Sequence, residues 1–264
     1  MKTRLQERFS DLGSRGEKAL ALFLTAGFPS RSGTVDLVLA LEDGGADIVE
    51  LGMPFSDPLA DGPVIQRASA VALANGVTLP WILEQVAEIR ARSGIPLVLM
   101  GYLNPIFRYG VERFFRDAAA AGVDGVILPE LPLEEWKRFV PFLHGADLAG
   151  ILLVTPTTPA PRVKAIDEAS SGFLYCVSST GVTGGSAPTE SAAYIRAVKQ
   201  NASRNPVLVG FGISLPEHAR AFAPVADGVI VGSALLRKIA ESPAASGVST
   251  WVREFKSVLR VPTS

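Results

Sequence analysis

The sequence predicts an α/β barrel, a TIM-type (β/α)8 fold, with an extra helix before the first strand. Short runs of β-branched and aliphatic residues alternate with longer segments of helical period, as expected for successive strand–helix units. Glycine, proline, serine, asparagine or threonine residues follow each run and lead into a helix-like stretch. Eight runs are predicted as parallel strands: Leu20–Leu24, Ile48–Leu51, Leu97–Met100, Gly125–Leu128, Gly150–Val154, Phe173–Val177, Val207–Val209 and Gly228–Val231.

The helical period is clearest in four stretches. Leu5, Phe9 and Leu12 have the i, i+4, i+7 spacing of an amphipathic helix, which we expect to cover one end of the barrel. The other helical stretches are Val35–Leu41, Trp81–Ala91 and Tyr194–Gln200.

Three segments of similar composition lead into predicted strands, and we interpret them as structural repetition: Gly45–Val49, Gly122–Val126 and Val225–Val229.

Length and composition fit one large core. The chain has 264 residues, a length that α/β barrels reach as a single domain, so we predict one domain over residues 1–264. Hydrophobic residues make up 48% of the chain and charged residues 19%. No apolar run approaches the roughly 20 residues that cross a bilayer, and Met1–Leu12 lacks the apolar core of a signal peptide. We therefore expect a cytoplasmic protein that does not contact membranes.

Charge and residue counts exclude several kinds of chemistry. A net charge of -1 gives no electrostatic footprint for nucleic acid. The single cysteine, Cys176, excludes an internal disulfide and a thiolate metal cluster, and we expect it to be a small buried strand residue. The lysines lie outside the predicted strand ends, which disfavours an imine-forming aldolase. With two histidines and one cysteine, a nitrogen or sulfur metal site is also disfavoured, so acid–base chemistry by carboxylates remains.

Glu50 is the first candidate catalytic carboxylate. It comes near the end of the second predicted strand, where period-two alternation places it on the same face as Ile48. If Val49 and Leu51 face the helices, Glu50 points into the mouth of the barrel. Burial there would raise its pKa and suit it to proton transfer near neutral pH. A glutamate neutralised by a basic neighbour, or lying at a solvated strand end, explains the pattern equally well.

Asp61 is the second candidate. It lies in the long connection Gly52–Pro63, whose prolines restrict the backbone. An aspartate beside glycine is often only a turn residue. Together with Glu50, however, it offers two carboxylates near one strand mouth, which suits a reaction with two separate charge-handling tasks.

Glycine-rich segments follow the last three predicted strands. In α/β barrels the loops after strands seven and eight, with the start of a short extra helix, often bind phosphate through backbone N–H groups. Three such segments in succession favour a phosphorylated small-molecule substrate. They are Thr180–Ser186, Gly210–Ser214 and Gly232–Ala234.

These motifs resemble the tryptophan synthase alpha-subunit family. The stretch Glu50–Pro63 is similar to the signature of that family. Further similar segments fall in order along the chain, so that the resemblance covers roughly Leu5 to Leu259: Leu24–Pro29, Asn104–Ile106, Gly181–Gly184 and Gly210–Ile213. The resemblance implies a lyase of tryptophan biosynthesis that splits indole-3-glycerol phosphate into indole and glyceraldehyde 3-phosphate by a retro-aldol reaction, without metal or organic cofactor.

The resemblance also implies roles for individual residues. Glu50 matches the proton-transfer carboxylate, and Asp61 matches the carboxylate that contacts the indole N–H and stabilises positive charge on the ring. Tyr175 matches a tyrosine that orients the glutamate, although a core aromatic residue is the competing interpretation. Thr183 matches a lid residue that closes near Asp61. The remaining matches are the phosphate cradle, Gly184, Gly212, Gly232 and Ser233, and the candidate walls of the indole pocket, Phe23, Tyr102 and Phe211, for which ordinary packing is an alternative.

The family implies a partner as well. This is a beta subunit that carries pyridoxal phosphate and receives indole through a tunnel in an α2β2 heterotetramer. The segments Pro54–Pro63 and Pro129–Pro132 lie where that contact is expected. Glu130 stands where an aspartate is usual, which leaves the local contact open.

Three alternatives stay open at this stage. One is another phosphate-binding barrel enzyme, such as a sugar-phosphate isomerase, although the two carboxylates around Pro54–Ser56 argue against it. A second is a regulatory subunit without catalysis, which the presence of Glu50 and Asp61 disfavours. The third is a standalone lyase that releases indole, which would share every residue of the site.

Overall fold

Parallel strands form the wall of a barrel, as predicted. The computed structural model describes residues 2–177, 188–210 and 212–260. Its strands are β1 (Ala19–Thr25), β2 (Ile48–Gly52), β3 (Leu97–Met100), β4 (Gly125–Ile127), β5 (Ala149–Ile151), β6 (Leu153–Val154), β7 (Leu174–Val177), β8 (Val207–Gly210) and β9 (Gly228–Val231). The sheet has the order β5-β4-β3-β2-β1-β9-β8-β7-β6, and every pairing between these strands is parallel.

The fifth predicted strand, Gly150–Val154, is divided in two. β5 pairs with β4 and β6 pairs with β7, with Leu152 between them. The N–H of Leu152 is donated to the Ser170 hydroxyl at 3.2 Å. Because a side chain takes that N–H, the strand is interrupted for one residue. β5 and β6 are consecutive in the chain and occupy one position of the wall, so the nine strands close an eight-position barrel.

Helices connect the strands and cover the outside of the barrel. They include the three helices predicted between strands: two extend further at both ends, and the one predicted over Trp81–Ala91 begins earlier and ends at Arg90. Proline in the first turn and a capping hydroxyl mark the start of the helix Leu79–Arg90, where Thr78 accepts the N–H of Trp81. In chain order the helices are α1 (Arg4–Ser14), α2 (Thr34–Asp43), α3 (Pro63–Ala74), α4 (Leu79–Arg90), α5 (Leu103–Tyr109), α6 (Val111–Ala121), α7 (Leu133–Trp136), α8 (Val140–Gly145), α9 (Ala160–Ala169), α10 (Pro188–Asn201), α11 (Pro216–Phe222), α12 (Ser233–Glu241) and α13 (Ala245–Ser257).

Two apolar layers follow from the alternation of side chains along the strands. Val49 and Leu51 belong to the layer between the barrel and its helices. Ile48 belongs to the inner layer, which contains residues from the strands and from α1, together with Phe173 directly before β7. Because successive side chains point to opposite faces, Glu50 shares the inward face with Ile48. The prediction that the Glu50 side chain points into the barrel is therefore confirmed.

The N-terminal helix α1 covers the end of the barrel where the strands begin. Leu5 and Leu12 are buried in the inner layer. The ring of Phe9 meets Phe173, which directly precedes β7, with the ring centroids 6.3 Å apart. Thr3 and Gln6 form a capping box that fixes the start of the helix. The predicted extra helix thus closes the end opposite to the carboxyl ends of the strands.

The repeated segments in the sequence have a common structural role. An aspartate in each segment directly precedes a strand and accepts a backbone N–H near the start of the neighbouring strand. This ties adjacent strands together at the N-terminal end of the barrel, in keeping with their interpretation as structural repeats. The pairs are Asp47 with Leu20, Asp124 with Leu97, and Asp227 with Val207.

The helices in the described part of the chain can be compared with membrane-spanning helices in length and composition. No single helix there is long and apolar enough to cross a membrane. One pair, Pro63–Ala74 with Leu79–Arg90, meets the length and composition requirements together, but the two helices are bent by 98° at the break.

Candidate functional site

Glu50 lies on β2 with its side chain sealed inside the barrel. Its neighbours in register are Phe23 on β1 and Val98 on β3. The residue is 0% exposed, and neither carboxylate oxygen has a hydrogen-bond partner among the described residues. Burial raises the pKa of Glu50 from 4.5 to about 8, because an ionised carboxylate is poorly solvated there.

An unpartnered buried carboxyl is costly, and such groups are rare in folded proteins. With a pKa of about 8, Glu50 is mainly protonated at neutral pH yet close enough to ionisation to give up its proton. These are the properties of a group that donates and then accepts a proton in one reaction cycle. Strongly perturbed carboxyls of this kind cluster at functional sites.

Tyr175 lies on β7 and belongs to the inner layer, as its spacing from Phe173 predicted. Burial is the main cause that raises the pKa of its hydroxyl, and the negative charges of Glu50 and Asp61 raise it further. All three groups therefore share one electrostatic environment. A side chain at Gly210 would come within 2.6 Å of the Tyr175 ring, so β8 needs a glycine at that position.

The loop between β2 and α3 carries Asp61 to the carboxyl ends of the strands. The N–H of Ala60 is donated to the Tyr102 hydroxyl at 3.0 Å, and the Gln66 side chain donates to the Asp61 carbonyl at 2.9 Å. Burial raises the pKa of the half-buried Asp61 carboxyl; the nearby Tyr102 hydroxyl opposes this shift, and the charge of Glu130 adds to it. The backbone around Asp61 is thus held by Tyr102 on one side and by Gln66 of α3 on the other.

A small cavity opens beside this loop at the mouth of the barrel. Asp61, Tyr102 and Phe23 are among the residues that line it. Glu50 does not appear among the described residues that line it. Ala19 and Ala21 of β1 belong to the inner layer, and the same alternation leads through Phe23 to Thr25, a buried cavity residue that the sequence did not single out. The other lining residues are Gly52, Met53, Ile65, Ser69, Met100, Gly101 and Pro129.

Two of the predicted phosphate-binding positions precede or begin α12. Gly232 is the N-cap of this helix and supplies no capping side chain. The first helical hydrogen bond runs from Leu236 to the Gly232 carbonyl, so the N–H groups of Ser233 and the two residues after it have no acceptor within the helix. Phe23 packs beside Gly232 and brings this helix start next to β1. Free N–H groups and the helix dipole make such a terminus suitable for an anion.

Gly212 adds a third predicted position in the loop after β8. Its φ of 76° lies in the left-handed region, and no atom of the described residues lies within 4 Å of the position that a Cβ would occupy. The backbone there is open on one side. Three further candidates, Thr183, Gly184 and Phe211, lie outside the described residues.

The two segments expected at a partner interface are brought together by the fold. Pro129 and Asp61 line the same cavity, although they follow different strands. Leu59, in the Asp61 loop, is 92% exposed, the largest exposure of any big apolar residue in the described part of the chain. Asp57 in the same loop is also exposed.

Comparison with known proteins gives the same family throughout. The family model described as tryptophan synthase alpha chain matches residues 9–260. A tryptophan synthase alpha chain from Desulfatibacillum aliphaticivorans is 48% identical over 260 residues, which cover 98% of this chain and 98% of that one. Another, from Geobacter sp. (strain M21), is 51% identical over 236 residues and covers 89% of this chain and 88% of its own.

Solved structures agree with the sequence relatives. Tryptophan synthase subunit alpha from Legionella pneumophila str. Paris superposes with a TM-score of 0.92 at 37% identity, covering 98% of this chain and 99% of that one. A structure of tryptophan synthase from M. tuberculosis gives a TM-score of 0.89 at 35% identity, with 99% of this chain and 100% of that chain covered. The chain belongs to the tryptophan synthase alpha chain family and is a lyase that cleaves indole-3-glycerol phosphate to indole and glyceraldehyde 3-phosphate.

Proposed function

We propose that Glu50 and Asp61 carry out this cleavage by acid–base and electrostatic catalysis, without a metal or organic cofactor in this chain. The observation that supports the proposal most is the Glu50 carboxyl, which is buried inside the barrel, has no hydrogen-bond partner among the described residues and has a pKa of about 8. A carboxyl that only stabilised the fold would be expected to have hydrogen-bond partners.

Glu50 serves both proton transfers in the proposed cycle. The neutral carboxyl first donates its proton to indole C3, which leaves a cationic ring that keeps its N–H. The Glu50 carboxylate then removes the proton of the glycerol hydroxyl next to the ring. The bond between C3 and the glycerol carbon breaks, its electron pair restores the aromatic indole, and the alkoxide becomes the aldehyde. Glu50 ends the cycle protonated, so no proton is gained or lost.

Asp61 stabilises the cationic ring in this scheme. Its carboxylate accepts the indole N–H and opposes the positive charge that exists only while C3 is protonated. Interactions that strengthen as charge develops are the ones that accelerate a reaction. Asp61 lines the cavity at the barrel mouth, where the ring is expected to lie.

The substrate phosphate is bound by backbone groups. The net charge of the chain is only -1, so the anion must be held locally. Gly212, Gly232 and the start of α12 at Ser233 provide open backbone and free N–H groups for this purpose. Gly184 is proposed as a fourth member of this cradle on the family resemblance alone.

The remaining residues shape the site. Tyr175 orients Glu50, whose negative charge contributes to the raised pKa of the Tyr175 hydroxyl. Phe23 and Tyr102 form the walls of the indole pocket, consistent with their place in the cavity. For Phe211 as a further wall, and for Thr183 as a lid residue near Asp61, the support is the resemblance.

The proposal extends to the setting in which the chain works. We propose that it functions as one domain in the cytoplasm and pairs with a pyridoxal-phosphate beta subunit in an α2β2 complex. The neighbouring segments Pro54–Pro63 and Pro129–Pro132, with the exposed Leu59, support this surface as the contact. A standalone lyase would use the same catalytic residues.

The test is indole release from indole-3-glycerol phosphate by the Glu50→Gln variant. The amide keeps the shape but cannot shuttle a proton, so we expect a loss of about 10²- to 10⁴-fold in kcat. Glu88→Gln, at an exposed position on α4, is the control and should match the wild type. Near-normal turnover by folded Glu50→Gln protein would overturn the assignment.

A further inference from the structure

The loop after β4 caps the helix that follows β3. Glu130 lies between β4 and α7, and its carboxylate accepts the N–H of Leu103, the first residue of α5. That N–H has no acceptor within the helix. Tyr102, the N-cap residue, supplies no capping bond from its own side chain. Glu130 therefore provides the cap from a separate loop.

Tyr102 connects the start of α5 to the Asp61 loop. Its hydroxyl accepts the N–H of Ala60 at 3.0 Å, and its ring packs on Phe55 with the centroids 5.3 Å apart. The side chain is nearly fully buried. Because Tyr102 directly precedes Leu103, the path of the chain into α5 determines where the Tyr102 hydroxyl lies.

The charge of Glu130 also reaches this loop. After burial and the opposing effect of Tyr102, it is a cause that raises the pKa of Asp61. It contributes in the same direction to the raised pKa of Tyr102. Glu130 thus acts on the loop both by position and by charge.

We propose that Glu130 is a positioning residue of the cleavage reaction, which holds Tyr102 against the Asp61 loop through its bond to Leu103. The inference rests on the proposed role of Asp61. Glu130 acts through Tyr102 and the Asp61 loop and need not touch the substrate. Glu130 follows β4, whereas Tyr102 and Leu103 follow β3. The bond therefore couples the segment Pro129–Pro132 to the Asp61 loop.

Three substitutions separate the effect of the hydrogen bond to Leu103 from the effect of the negative charge. Glu130→Ala removes both and is expected to lower kcat/KM about 2- to 30-fold, the range of losses when a helix cap is removed. Glu130→Gln keeps an oxygen that accepts the Leu103 N–H and should restore most of the rate. Glu130→Asp keeps the charge but shortens the side chain, so we expect a rate closer to that of the alanine variant.

Two readouts distinguish positioning from a general loss of stability. Amide hydrogen exchange at Leu103 and Ala60 should speed up in Glu130→Ala and stay slow in Glu130→Gln. At low pH kcat/KM should fall as the Asp61 carboxylate becomes protonated. This fall should occur at lower pH in Glu130→Gln, because removing a negative charge lowers the pKa of Asp61. Glu135→Gln is the matched control: it removes a carboxylate on α7 that pairs with Arg138, and should change neither readout.

The contradicting result is equally specific. If Glu130→Ala matches the Glu135→Gln control in exchange at Leu103 and Ala60 and in its rate, the inference is overturned. Normal turnover by Asp61→Asn would overturn the proposed role of Asp61 instead, and the exchange rates would still decide whether Glu130 holds the start of α5.

Discussion

The two ends of the barrel treat buried carboxyl groups in opposite ways. At the N-terminal end, Asp47 accepts the Leu20 N–H and the Lys256 ammonium, each at 2.8 Å, and Arg8 approaches to 3.5 Å. At the other end Glu50 is equally buried but has no hydrogen-bond partner among the described residues. The two groups lie only three residues apart in sequence, Asp47 directly before β2 and Glu50 within it.

Asp124 repeats the arrangement of Asp47 two strands along the wall. It accepts the Leu97 N–H and pairs with Arg90 and Arg4, each contact being 2.8 or 2.9 Å long. Arg4 lies on α1, as does Arg8, so these pairs also hold the N-terminal helix on the barrel. Satisfied carboxylates thus hold strands and helix together at this end.

The contrast shows where this fold separates stability from chemistry. A buried carboxylate with a full set of partners destabilises the protein strongly when it is changed, because its partners are left unpaired. A buried carboxyl without partners stabilises nothing, and its retention points to chemistry. The difference makes opposite predictions for the same kind of substitution at the two ends.

The largest expected effect on stability is at the N-terminal end. Asp47→Asn keeps the shape but removes the charge that faces the buried Lys256. We expect a loss of about 3 kcal/mol in the free energy of unfolding, the lower part of the range for a broken buried ion pair, since Glu17 remains near Lys256. Glu50→Gln should cost no stability and should raise it at pH 7, because the amide avoids the cost of keeping a buried carboxyl protonated. Urea unfolding of both variants at pH 7 measures the difference, and a larger loss in Glu50→Gln would break the comparison.

Asp61→Asn should lower the rate of cleavage strongly and the free energy of unfolding only slightly. The substitution removes the charge that opposes the cationic ring, so we expect kcat to fall by about 10²- to 10³-fold, the usual cost of losing one transition-state contact. The free energy of unfolding should change little, since no salt bridge involves Asp61 among the described residues. Asp57→Asn, in the same loop, is the control. An Asp61→Asn variant with normal turnover would reduce Asp61 to a turn residue.

The smallest effect concerns the phosphate loop. Gly212→Ala places a methyl group in open space but at a positive φ, which costs about 1–2 kcal/mol for a residue with a side chain. Gly16→Ala carries the same strain, since Gly16 has a φ of 65° and equally open surroundings, yet it lies far from the site in sequence, after α1. We expect KM for the phosphorylated substrate to rise in Gly212→Ala only. Equal KM values in the two variants would place the phosphate elsewhere.

Much of the fold could be predicted because its signals are local. Alternation along β2 was sufficient to place Ile48 and Glu50 on one face and Val49 and Leu51 on the other, and the fold showed which face is the inner one. The spacing of Leu5 and Leu12 was sufficient for α1. Cys176 also proved to be a buried strand residue, as expected. In each case neighbouring residues along the chain carried the pattern.

The remaining features depend on contacts between distant parts of the chain. The break at Leu152 is caused by Ser170, and Gly210 is required by the ring of Tyr175 rather than by phosphate alone. Likewise, the bond from Leu103 to Glu130 joins residues 27 positions apart. No local period encodes such pairs, so they became visible only in the fold.

The pKa of Glu50 also determines how stability depends on pH. Its folded-state pKa of about 8 exceeds the ordinary value of 4.5, so the folded protein holds a proton that the unfolded chain releases between these values. This group therefore costs the folded state nothing through ionisation below pH 4.5, and the folded state loses stability as the pH rises from 4.5 toward 8. Between these two values the free energy of unfolding should fall by about 1.4 kcal/mol for each pH unit. Glu50→Gln should remove that dependence, which urea unfolding across this pH range would show.

The most direct test of the central claim is a titration of the Glu50 carboxyl itself. The carboxyl carbon can be followed by NMR in protein labelled with 13C-glutamate, with Glu50→Gln used to assign the signal. We predict a midpoint near pH 8 and a fall in kcat/KM as the pH rises through the same value, because the protonated carboxyl starts the reaction. A midpoint near 4.5, with activity unaffected around pH 8, would contradict the account.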